Sequence, residues 1–335
     1  MNTRVSKRYA QTLFSAFALS VLSITASAQE GHAQDKLYVL SSIKPVHSLV
    51  AMVTGDLANS EIIVKGAASP HTYALAPAQA RDIQRADAIF WVGEDLEAFL
   101  EKPLATIGAR ATLIELMETP GLQKLKFREG GAFEKHDGHD DDDHDDDHDD
   151  DHGHDDDHGK HDDHDGFDPH IWLSPDNAKR ILAYIASALG DLDPDNKAAY
   201  IANATAAMQD IDQLTNAITD NLSPIKNGGF LLFHDSFQYF EHAFGLAASG
   251  AISIHPEVAP GARRIAEIRR LLRKRNVRCV FTEPQFDAKM VDVILQGTGK
   301  RAVEIDPLGA ALPQGDTLYF ELMQAMSTSF RKCLG

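Results

Sequence analysis

The chain has 335 residues, 43% of them hydrophobic, and a formal net charge of −18. A chain this acidic repels phosphates, which argues against nucleic acid as a partner. One stretch, residues 136–164, holds sixteen Asp and one Lys, −15 of the total, so the rest is near −3 and suits an ordinary globular body.

Arg4, Lys7 and Arg8 precede a mostly apolar run of twelve residues, 13–24, too short for a comfortable membrane span. Ala26, Ser27 and Ala28 then give the small-residue pattern of a signal-peptide cleavage site. Residues 1–28 are therefore expected to be an export signal cut after Ala28, with a buried N-terminal helix as the other reading. No Cys follows the run, which speaks against a lipid anchor, and no other long apolar run exists. A soluble exported protein is expected.

In the first half, residues 37–43 (LYVLSSI), 61–65 (EIIVK) and 88–92 (AIFWV) are apolar runs of strand length. Helical patterns cover 77–85, 95–107 and 175–189. Between them, residues 136–164 read HDGHDDDDHDDDHDDDHGHDDDHGKHDDH, with no apolar residue to fold around. Its nine histidines are His136, His139, His144, His148, His152, His154, His158, His161 and His164. Imidazole suits Zn, Cu, Ni and Fe, and carboxylate suits Mg, Ca and Mn, so the run points to divalent metal. It reads as a long loop that gathers metal weakly, or else as a solvated acidic spacer.

A long helical pattern starts near Pro194 and Asp195 and runs to Leu222, where Ser223 and Pro224 stop it. Ile201, Ala204, Met208, Ile211, Leu214, Ile218 and Leu222 keep a three-four spacing. Some 28 residues span about 42 Å, enough to join two lobes, although an ordinary surface helix fits the same pattern. In the second half, 229–233, 278–282 and 301–305 are strand candidates, with helices at 236–244, 261–275, 287–296 and 317–332. Strand-helix alternation argues for α/β lobes with largely parallel sheets. Cys279 and Cys333 are the two cysteines. In an oxidising compartment two Cys usually pair, here tying a strand to the last helix, and a metal site without a CxxC is the lesser alternative.

Seven histidines lie outside the run. His32 sits in a polar tail, and His47 and His242 among apolar neighbours read as structural or surface residues. His255, in a loop, is an auxiliary ligand candidate. His71 and His234 follow strands, and His170 precedes a helix. Open α/β sheets place ligands beyond the carboxyl ends of their strands, so two facing lobes would bring these three together. Asp306 and Glu283 also lie just past strands, as candidate cleft carboxylates. Enzyme signatures such as HExxH, GxSxG and phosphate-binding glycine loops are absent from the sequence. His234, Asp235 and Ser236 are adjacent and cannot form the spatial relay of a hydrolytic triad.

The segments SSIKPVHSLV, SPHTYAL, ADAIFWVGEDLEAFL, DPHIWLSP, FHDSFQYFE, HPEVAPGA, CVFTEPQF and DPLG, with the His/Asp run, resemble the zinc-specific ZnuA-like solute-binding components of bacterial ABC transporters. The resemblance covers nearly all of the chain after the signal. It implies two Rossmann-like α/β lobes, 36–192 and 224–335, joined by a long rigid helix, 193–223, with metal between them. His71, His170 and His234 would be the ligands, and the matching cysteines of zinc-binding relatives pair, which supports Cys279–Cys333. Manganese-binding relatives usually carry Glu where His234 stands and lack the run, so zinc is favoured, in accord with three nitrogen donors. Some zinc-binding relatives place a Glu just before the first ligand; Pro70 stands there, which leaves water, or else Asp306, as fourth ligand. The expected function is capture of Zn²⁺ in the periplasm and delivery to an integral-membrane permease, by a monomer without enzymatic activity. A periplasmic metal buffer, uptake of manganese or another divalent ion, and a zinc hydrolase are the alternatives.

Overall fold

The computed structural model describes residues 36–128, 166–225, 228–253, 260–274, 277–287 and 289–335. The expected signal peptide, the His/Asp run and His255 lie outside the described residues. The described residues form one compact unit built on two sheets.

The first sheet holds β1 (Tyr38–Ser41), β2 (Asn59–Ile62), β3 (Ala88–Trp91) and β4 (Thr112–Glu115), all parallel, in the order β2-β1-β3-β4. The second holds β5 (Gly229–His234), β6 (Ala251–Ser253), β7 (Val277–Thr282) and β8 (Arg301–Glu304), also parallel, in the matching order β6-β5-β7-β8. Nine helices surround them among the described residues: α1 (Lys44–Thr54), α2 (Pro77–Arg85), α3 (Glu94–Thr106), α4 (Pro175–Leu192), α5 (Lys197–Leu222), α6 (Gln238–Phe244), α7 (Ala262–Lys274), α8 (Lys289–Leu295) and α9 (Leu318–Leu334). The α/β class and the two parallel sheets are as the alternation predicts.

Strand chemistry explains the layering. β3 is buried at every residue, as a parallel strand covered on both faces must be. In β5 the two faces separate with the period of two that a strand imposes. Phe230 and Leu232 join the main core, whereas Leu231 and Phe233 join a second cluster with Ile268 and Leu272 of α7 and Val291 and Ile294 of α8. On the main side Phe230, Phe281 and Phe330 make edge-on ring contacts, and Phe240 stacks on Phe330 at 5.1 Å. Beside them the Cys279–Cys333 disulfide ties β7 to α9, as the pairing argument expects.

The long helix α5 has 26 residues, about 39 Å at 1.5 Å each. It packs on α1 and α4 of the first half and on α6 and α9 of the second, so it joins the halves. It starts later than the pattern suggests, at Lys197, after a separate 3-10 turn at Pro194–Asn196. Its buried face also differs at the start: Tyr200 is buried and Ile201 half exposed. The Tyr200 hydroxyl donates to Asp193 Oδ2 at 2.9 Å, which lets a polar-tipped ring take the inward position.

Three elements escape the sequence reading. α1 follows β1 almost without a break in apolar character, so a period of two merges into one of 3.6. β4 is an edge strand with Thr112 and Leu113 exposed, and β6 has only three residues. Further ties cross between the halves. Lys44 Nζ, at the start of α1, donates to the carbonyls of Gly309, Ala310 and Leu312 at 2.8–2.9 Å. Tyr319 N, in α9, donates to Ser48 Oγ of α1 at 3.0 Å.

Candidate metal centre

His71 lies in a 3-10 turn, Pro70–Thr72, on the connection between β2 and α2. The following Tyr73 anchors this turn. Its ring lies 5.1 Å from Phe99 of α3, and its hydroxyl accepts from Gln79 Nε2 at 2.7 Å. Gln79 Oε1 in turn accepts from the Ala76 N–H at 2.8 Å, so one amide holds both the turn and the start of α2.

His170 follows Asp168 and Pro169, just before a 3-10 turn at Ile171–Leu173. Asp168 Oδ1 accepts from His170 N at 2.9 Å and lies 2.7 Å from His170 Nδ1. This is an Asx turn, in which a short carboxylate folds back on the chain two residues ahead. After that turn Ser174 caps α4, accepting from Asn177 N, and Pro175 fits the first helical position.

His234 is the last residue of β5, and Glu283 comes just after β7. These two neighbouring strands flank the point where the strand order of the second sheet reverses, the usual ligand position in an open α/β sheet. His234 Nδ1 lies 2.8 Å from Glu283 Oε1.

The three rings converge, with centroids 5.6 Å (His71–His170), 5.7 Å (His71–His234) and 5.3 Å (His170–His234) apart. One ring nitrogen of each lies within 4.8 Å of the others, the only such His, Cys, Asp or Glu group among the described residues. Trp172, Phe286, Pro307 and Leu308 help line the pocket. Nε2 of His71 and Nε2 of His234 are buried without a hydrogen-bond partner. A buried polar atom left unpaired is costly, and two such atoms on rings that share one pocket suit a cation site. Burial, then the neighbouring His170 and His234, lower the His71 pKa to about 2, which keeps its ring neutral and ready to ligate. At His234 burial also opposes the charged ring, but the Glu283 carboxylate outweighs it and raises the pKa. Three imidazoles in a partly apolar pocket, with one position left open, are a donor set suited to tetrahedral zinc.

The other candidates differ in placement. Glu283 lines the same pocket, with Oε1 2.8 Å from His234 Nδ1. Asp306 Oδ1 accepts from Gln285 Nε2 and Leu308 N, and its Oδ2 accepts from Ala310 N, so both oxygens are engaged in shaping the loop after β8. His47 is buried with its pKa lowered chiefly by burial, and His242 is exposed. Asp235 is bound by Arg128, which also grips Glu241 of α6.

Two contributors have no role in the sequence reading. Arg128 carries no signal toward Asp235 and Glu241, which lie 107 and 113 residues away in sequence. Asp168 does carry one: an Asp two residues before a histidine can close an Asx turn.

A family profile described as "ZnuA: Zinc-uptake complex component A periplasmic" matches residues 39–333. The chain is 43% identical over 304 residues to a protein of Brucella abortus named "High-affinity zinc uptake system protein ZnuA", covering 88% of this chain and 91% of the relative. A protein of the same name from Haemophilus influenzae is 32% identical over 331 residues, 94% and 98% of the two chains. The fold matches a structure described as "Crystal structure of ZnuA" with a TM-score of 0.73 at 25% identity, over 90% of this chain and all of that one.

Proposed function

Because the chain belongs to the ZnuA family of periplasmic zinc-uptake components, we propose that His71, His170 and His234 hold the zinc ion it takes up. The protein captures zinc in the periplasm for an ABC-type uptake system, with zinc as cargo. The observation that carries the ligand assignment is the convergence of one ring nitrogen from each of three histidines within 4.8 Å, with Nε2 of His71 and Nε2 of His234 buried without a partner. Water completes the tetrahedron, since both oxygens of Asp306 are committed to other donors.

The same reading has several further parts. The chain leaves the cytoplasm through a signal peptide, residues 1–28, and works as a monomer. The lobes are 36–192 and 224–335, with 193–223 between them. The loaded protein docks directly on the integral-membrane permease and passes it the ion. Catalysis has no place in this scheme: the one apparent triad, His234-Asp235-Ser236, has its Asp tied to Arg128 and its Ser buried. His255 and the nine histidines of 136–164 are auxiliary zinc ligands of lower affinity.

Competition titration with a chelator of known strength tests the assignment. His71→Ala, His170→Ala and His234→Ala should each weaken the tightest zinc site at least tenfold, and Asp306→Asn far less. Parental affinity in all three histidine variants would refute it.

A further inference from the structure

The three histidines are not held alike. Behind His170 stands Asp168, and behind His234 stands Glu283, each with an oxygen on the ring Nδ1, at 2.7 and 2.8 Å. Both carboxylates are buried, at 2% and 3% exposure. No Lys or Arg is paired with either in the ion pairs of the described residues, and Glu283 Oε2 has no partner at all. A buried carboxylate without a cation is expensive, so these two are out of place in a site made only of neutral rings. They fit a site that takes up a divalent cation on the far side of each ring. A carboxylate that accepts the Nδ1 proton fixes the tautomer, turns the Nε2 lone pair to the metal and makes it a better donor.

His71 has no such backing. Among the described residues nothing hydrogen-bonds its ring, and it is only partly buried. Its backbone lies in a three-residue turn held by its neighbour Tyr73 rather than in a strand end. No hydrogen bond among the described residues fixes the rotation of this ring.

The geometry points to an unequal ligand set: Asp168 and Glu283 are positioning residues that lock His170 and His234, and His71 is the ligand that closes on the zinc ion and lets it go. This rests on the three-histidine reading above and deepens it. An uptake protein must bind tightly and still release. Two fixed donors with one free donor allow both, because detaching a single unanchored ring opens the coordination sphere without disturbing the two rings held by carboxylates. Release then begins on the side of the β2–α2 connection.

The test uses the full exported chain and reads the tightest zinc site by chelator competition, with stopped-flow dissociation and the visible spectrum of the Co²⁺-loaded protein. Glu283→Gln and Asp168→Asn keep the shape of each side chain and remove its charge. Each should weaken zinc about 10- to 100-fold, the usual effect of losing such a partner. Each should also speed dissociation and change the Co²⁺ ligand-field bands, with the metal-free melting temperature near that of the parent. His71→Ala should bind zinc at least tenfold more tightly than His170→Ala or His234→Ala. Parental affinity and Co²⁺ spectrum in both carboxylate variants would overturn the positioning role. Equal loss in all three histidine variants would overturn the ranking while leaving the site intact. No loss in any histidine variant is a different failure, that of the site assignment itself.

Discussion

Trp172 Nε1 donates a 2.9 Å hydrogen bond to the carbonyl of Pro307. The bond runs from the turn just after His170 to the loop after β8, so the edge of the three-histidine pocket is itself a cross-tie between the two halves. Tyr319 OH adds a 2.9 Å bond to the Trp172 carbonyl from α9, and Lys44 clasps the same β8 loop from α1.

With these ties and α5 packed on both halves, a wide hinge motion would break several buried hydrogen bonds at once. Structures solved with and without zinc should therefore differ by small tilts and by local movement around His71, not by a large domain swing. Lys44→Met, which strands three carbonyls, should lower stability by a few kcal/mol, at about 1–3 per polar group left unpaired. Chemical denaturation would measure it, and parental stability would contradict the clasp.

Zinc binding should weaken in acid. A proton on Nε2 of His234 competes directly with the metal, and Glu283 holds that pKa above the ordinary value near 6.5. Affinity should therefore begin to fall above pH 6.5 as pH drops. His71, at about 2, should contribute nothing across that range. Titrations between pH 8 and 5.5 read this directly, and a flat profile would refute it.

Glu97, in α3, is fully buried, and its Oε2 accepts from the Val92 and Gly93 N–H groups at 2.8 and 3.2 Å. Burial pushes its pKa up to about 7, above the 4.5 of the unfolded chain. A raised carboxyl pKa contributes stability below the unfolded value and loses it as pH rises through the folded one, here between about 4.5 and 7, an effect of up to about 3 kcal/mol. Glu97→Gln removes that ionisation and can still accept both backbone bonds. It should stabilise the protein by about 1–3 kcal/mol at pH 8 relative to its effect at pH 5, as followed by denaturant unfolding. Equal effects at both pH values would count against the buried acid.

The Cys279–Cys333 disulfide closes a loop with a sequence separation of 54. Chain-entropy estimates give about 4 kcal/mol for a loop of this size. Replacing both cysteines with Ala should lower the unfolding free energy by about that amount and leave zinc affinity close to parental, because the bridge joins β7 to α9 and touches none of the three histidines.

Deleting residues 136–164 should lower the number of zinc ions bound per chain and leave the tightest site unchanged. Equilibrium dialysis at saturating zinc counts the ions, and an unchanged count would mark the run as a spacer.

Much of the site is legible in one dimension because its parts are local. SPHTYAL, DPHIWLSP and FHDSF each place a histidine at a strand end or before a helix, and the apolar runs beside them name most of the strands. The same holds for α5, whose three-four pattern is long enough to survive an error at its first turn. α1, β4 and β6 are not legible, because a merged period, an exposed edge and a three-residue length each erase the signal that periodicity needs.

The sequence by itself determined the α/β class, the metal chemistry of the chain and which histidines to suspect, since those follow from residue type and short-range pattern. Only the tertiary structure decided how the three histidines are held. Glu283 reaches His234 across two adjacent strands 49 residues apart in sequence, and Asp306 turns both oxygens to its own loop. The physical reason is that a lone pair or a carboxylate has no fixed role until packing decides which donor it faces.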